Sequence, residues 1–134
     1  MFDDLSEYLN QCVTVDDVAL NEEYIRLSAD YAFWSSKYAD SRRTHAISKL
    51  NRETVRSTLR IAHREELAED NNRVTESMVT SAVDIDPKWI GSKHNEIDAE
   101  TDMVRLSGIL EALKTKREML ISLGAHARAE MKTI

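Results

Sequence analysis

Four arginines, Arg52, Arg56, Arg60 and Arg64, recur at every fourth position, with His45 and Lys49 continuing the line towards the N-terminus. On a helix this spacing puts one row of cations on one face, with neighbouring groups ~6 Å apart and repelling by a few tenths of a kcal/mol per pair. Such a row calls for anions. Acids of the same or a neighbouring chain could supply them, such as Glu65, Glu66 and Glu69 or Asp98 and Asp102. A phosphate backbone could also supply them, and a row repeated around an oligomer would then form a basic track. On that second reading the DNA-binding residues are Lys49, Arg52, Arg56, Arg60 and Arg64.

The remaining reactive side chains form no recognisable catalytic pattern. His45, His63, His94 and His126 fall in neither an H-E-x-x-H nor an E-x-x-H arrangement, so no helical metal site is written and packing or solvent-facing roles are expected. Cys12 is the single cysteine, with no C-x-x-C partner; it reads as a small buried hydrophobe in a reducing compartment. Asp84-x-Asp86 lacks the rest of a calcium loop. Asp98, Glu100 and Asp102 indicate no carboxylate pair poised for acid–base work and read as a solvated acidic stretch, and no serine has a G-x-S-x-G setting. Three scattered glycines cannot build a phosphate loop. The expectation is a binding protein with no catalytic residue, no metal and no cofactor.

Charge is distributed in blocks. The chain carries a net −6, yet residues 37–64 hold eight bases against two acids, between an acidic segment 1–36 and an acidic segment 65–102; residues 103–134 are again basic. A basic island between acidic arms marks where an anionic partner would bind. The N-terminal Met1-Phe2-Asp3-Asp4 is acidic, without the apolar run of a signal peptide, and no window approaches the ~18 apolar residues of a membrane span.

The elements that position the row are helices. A chain of 134 residues with no Gly or Pro before Pro87 lacks the turn chemistry of β-sheets and reads as one domain. A short amphipathic helix is expected over residues 2–10, an extended connector over 12–15, and a cap at Asp16 or Asp17. From Leu20 a heptad runs through Tyr24, Leu27, Tyr31, Trp34 and Tyr38, a packed seam on a helix reaching to about Glu69. The same steps then meet Ser41, His45, Ser48 and Arg52, so the apolar face is expected to rotate to Ile47, Leu50, Thr54, Thr58 and Ile61. Asp70-Asn71-Asn72 ends the helix, and a short helical piece capped by Thr75 spans 74–83. Asp86-Pro87 starts the last long helix. Its seam reads Met103, Leu106, Leu110, Leu113, Arg117, Leu120, Gly124, Ala127 and Met131, with Gly124 expected to kink or interrupt it before a terminal helix and Arg117 expected to be paired or snorkelling. The fold class is therefore all-α, a long helical hairpin with short flanking helices. Its apolar stripes exceed what one hairpin covers, which predicts a homo-oligomer with Leu106, Leu110, Leu113 and Leu120 in the seams between subunits.

The order of these features resembles the bacteriophage UvsY family of recombination mediator proteins. The likeness spans nearly the whole chain. It comprises the short acidic helix and extended segment, the helix carrying Tyr31-Ala32-Phe33-Trp34, and the basic stretch with its acidic linker. The closing helix carries Ala112-Leu113-Lys114-Thr115-Lys116-Arg117 and Ala127-Arg128-Ala129-Glu130. The resemblance implies an oligomeric, ring-like protein of the bacterial host's cytoplasm, with no enzymatic activity. Such a protein binds single-stranded DNA and helps the phage recombinase displace the phage single-strand-binding protein. An overlay on Trp34 places Ser57 and Leu59 where the best-known member carries its DNA-contacting Lys and Arg, with Arg56 and Arg60 flanking. The other reading is a helical phage scaffold or assembly protein without a nucleic-acid role.

Overall fold

The computed structural model describes residues 20–133, with side chains to residue 130. The helix expected over residues 2–10, the connector, the cap at Asp16 or Asp17 and Cys12 lie outside the described residues, as does the side chain of Met131. The described residues form three helices and no strand: α1 (Leu20–Asp70), α2 (Glu76–Asp84) and α3 (Pro87–Thr133). Their ends follow from local chemistry. The backbone N–H and side-chain amide of Asn71 both donate to the Leu67 carbonyl at 3.0 Å, closing the last turn of α1. The Thr75 hydroxyl accepts from the Met78 N–H at 3.3 Å as the N-cap of α2. Asp86 accepts from the Lys88 N–H at 2.8 Å, with Pro87 in the first position of α3, where its missing N–H costs nothing. Helix α3 passes through Gly124 without the expected interruption. A β-carbon there would stand 3.7 Å from Leu20 Cδ2, an ordinary van der Waals contact, so the position would accept a small side chain. No described helix is long and apolar enough to cross a membrane.

The chain divides into two compact units, the first holding residues 20–39 and 104–133 and the second 40–103. In the first, α1 and α3 run antiparallel, with Leu20 beside Gly124 and Glu23 beside Lys116. The core is Leu27, Trp34, Leu106, Ile109, Leu113 and Leu120, edged by Leu20, Tyr24, Tyr38 and Leu110. Leu106, Leu113 and Leu120 are thus enclosed by their own chain, at most 2% exposed, and Leu110 is half-buried. This corrects the expected placement of Leu106, Leu113 and Leu120 in a seam between subunits: packing with Leu27 and Trp34 within one chain already removes them from water. A second correction concerns Arg117, which is exposed, while Lys116 is buried. The buried line runs Leu106, Ile109, Leu113, Lys116, Leu120, because Glu23 stands opposite and its Oε2 meets Lys116 Nζ at 2.8 Å. A buried ammonium is tolerable only against such a carboxylate.

In the second unit, Val79 and Val83 of α2 pack on Leu59, with Val55, Leu67, Val74 and Trp89 around them. The expected rotation of the apolar face does not occur. Ser41, His45, Ser48 and Arg52 keep the heptad phase and are half-buried, whereas Ile47, Leu50 and Ile61 stand 52%, 64% and 63% exposed. The polar seam holds because α3 offers small and charged partners there. Ser92 and Ala99 are buried, and Glu96 pairs with Arg52 at 2.8 Å.

Candidate nucleic-acid interface

The five expected DNA-binding cations lie on α1 in the second unit, but they meet different surroundings. Arg52 Nη1 is bound to Glu96 Oε2 of α3. Arg60 and Arg64 share one carboxylate, Glu76 at the start of α2, and Arg60 also donates to the Thr80 hydroxyl at 3.3 Å. Hydrogen bonding from Arg64, reinforced by the charges of Arg64 and Arg60, holds the Glu76 carboxyl below its ordinary pKa. Acids therefore do answer part of the row, from Glu76 and Glu96 rather than from the segments around Glu66 or Asp98. These pairs are partly solvated, and exposed ion pairs contribute little to stability.

The other two cations remain available. Lys49 and Arg56 are exposed and have no acid within ion-pairing distance among the described residues. They are seven residues apart, two helical turns or ~10.5 Å along one face. Arg56 lies over the ring of Trp89, its guanidinium carbon 6.0 Å from the centroid. Lys93, one turn beyond Trp89 on α3, places its ammonium 5.6 Å from the same ring. Two cations on one indole attract its π-face but repel each other, and an incoming anion relieves that repulsion. Trp89 is held from both sides of the chain: its carbonyl accepts from the Ser92 hydroxyl at 2.8 Å, and its ring packs against the Leu59 core.

Sequence reasoning missed Trp89 and Lys93. Their i, i+4 spacing just inside a capped helix start was visible, but the approach of Arg56 from another helix was not. Leu59, which the overlay put at a DNA-contacting position, is 7% exposed and belongs to the core, while its counterpart Ser57 is exposed. Beside this surface, His63 Nε2 meets Asp86 Oδ2 at 2.8 Å, tying α1 to the cap of α3. That hydrogen bond, and the one from the Lys88 N–H, hold the Asp86 carboxyl below its ordinary pKa. Among the described residues no three His, Cys, Asp or Glu side chains gather as metal ligands. Compared with protein families, with curated proteins and with solved structures, the chain matches none.

Proposed function

We propose that the protein is a non-catalytic mediator of phage recombination: a homo-oligomer that binds single-stranded DNA and helps the recombinase replace the single-strand-binding protein on it. The observation that carries the reading is the pair of cations Arg56 and Lys93 on Trp89, with Lys49 two helical turns from Arg56 along α1, none with an acidic partner among the described residues, in a chain of net charge −6. Distant acids do not cancel such a cluster, because screening at ~8 Å under physiological salt hides them. An indole beside cations is also the usual equipment for single strands, whose bases stack while the phosphates are neutralised. Self-association is supported by apolar side chains left in water, Ile47, Leu50 and Ile61 on α1 and Ile90 and Ile97 on α3, each 43–64% exposed. Large apolar side chains exposed along a helix are candidates for such a contact. Repetition around an oligomer would multiply a weak local site through effective concentration.

The test is an anisotropy titration of labelled oligothymidylate over a salt series. Three phosphate contacts per protomer predict a log–log salt slope near −2 for each protomer engaged, from about −0.7 per contact. Arg56→Glu with Lys93→Glu should remove binding and leave helix content unchanged. Absence of salt-sensitive binding by the wild-type chain would sink the proposal. It would favour the second reading, a helical assembly protein, to which the pairing of Arg52, Arg60 and Arg64 with Glu96 and Glu76 already lends support.

A further inference from the structure

The first unit holds a cleft of about 380 Å³ lined by Tyr24, Leu27, Ser28 and Tyr31 of α1 and by Leu113 and Arg117 of α3. Its volume falls within the ~300–1,000 Å³ of small-molecule sites. Its chemistry is mixed in a specific way. Leu27 and Leu113 give an apolar floor, and both belong to the core, so the floor is fixed. Tyr24 and Tyr31 bring two phenol rings, the second 47% exposed and therefore reachable from solvent. Arg117 brings a guanidinium with no ion pair among the described residues. A second guanidinium stands near Tyr24: Arg128 Nη1 and the Tyr24 hydroxyl lie 3.8 and 4.0 Å from the point where a β-carbon on Gly124 would be.

Rings, an apolar floor and unpaired guanidiniums together select a flat, largely apolar group with an anion attached. We propose that this cleft takes one unstacked nucleobase of a bound single strand, with Tyr31 stacking on the base and Arg117 meeting its phosphate. The inference rests on the single-strand-binding reading and deepens it. Lys49, Arg56 and Lys93 supply backbone charge, while the cleft adds affinity for bases. Base stacking on an aromatic side chain adds about 5- to 150-fold in affinity per base, and every base offers a π-face, so the gain requires no sequence preference.

The experiment compares oligothymidylate with an abasic oligonucleotide of equal length. The wild-type oligomer should bind oligothymidylate about 5- to 150-fold more tightly. Tyr31→Ala should erase that difference and leave the abasic affinity unchanged, and Tyr31→Phe, which keeps the ring, should behave as wild type. Arg117→Ala should weaken both ligands and reduce the salt slope by about one phosphate contact. Equal wild-type affinity for the two ligands overturns the cleft inference while the DNA-binding reading survives. A Tyr31→Ala variant that loses both ligands alike, or that changes sedimentation mass, overturns it too, the latter by marking the cleft as a contact between copies. Binding of neither ligand by the wild type refutes the proposed function and this inference with it.

Discussion

Removing the carboxylate of Glu23 should destabilise the first unit more than any other single polar substitution in it. Lys116 has a fully buried side chain and Glu23 one that is 10% exposed, and their charged atoms meet at 2.8 Å. Leaving either charge without its partner in such a setting costs about 3–5 kcal/mol, a large share of the ~5–15 kcal/mol that holds a domain together. The two halves of the pair are not equivalent. Without Lys116, Glu23 keeps slight access to water and the Arg26 guanidinium at 3.7 Å. Without Glu23, the ammonium of Lys116 is left in a side chain with no exposure to water. Glu23→Leu should therefore cost more than Lys116→Met. The double variant, with two apolar side chains of similar volume, should regain most of the loss or exceed wild-type stability by about 1–4 kcal/mol. Urea unfolding can be followed through Trp34, which lies in this core, in a Trp89→Phe background that silences the tryptophan of the second unit. A cost below about 1 kcal/mol for Glu23→Leu, or a larger cost for Lys116→Met, would refute the reasoning.

Three further outcomes follow from the geometry. Arg60→Glu would set two carboxylates face to face at Glu76 and should loosen α2, whereas Arg56→Glu should leave it intact; hydrogen exchange of residues 76–84 separates the two. Glu76 and Asp86 both titrate below their ordinary values, through Arg64 and His63 respectively. A depressed carboxyl contributes stability that is present above its unfolded pKa and lost as pH falls through the folded one. The second unit should therefore weaken below about pH 4, and Asp86→Asn should flatten that acid limb in a pH-dependent urea melt. At Gly108 a β-carbon would meet nothing within 4 Å, so Gly108→Ala should stabilise the chain by about 0.5–1 kcal/mol through helix propensity alone; an unchanged or lowered melting temperature would count against this.

The helices themselves were legible in the residues. The long run without Gly or Pro, the stop at Asp70-Asn71-Asn72, the Thr75 cap and the Asp86-Pro87 start are local signals. Each satisfies or withholds a backbone hydrogen bond within a few residues of itself, so no tertiary partner is needed to read it. The heptad from Leu20 to Tyr38 likewise announced a packed face for Leu20, Tyr24, Leu27, Trp34 and Tyr38, because spacing fixes which side chains share a side, but Tyr31 in the same phase stands 47% exposed. What the sequence left open was every choice decided by the opposite helix. Lys116 and Arg117 are one residue apart and both cationic, and the position of Glu23 on the opposite helix decides which of them is enclosed. Ser41, His45, Ser48 and Arg52 looked like the end of a seam, and the small and acidic side chains of α3, Ser92, Glu96 and Ala99, make them its continuation. The cation row showed its own spacing but not its partners. Glu76 and Glu96 lie 12 to 44 residues away along the chain, and charge pairing depends on distance in space. Arg56 and Lys93 share Trp89 for the same reason: their convergence is a property of two helices packed antiparallel.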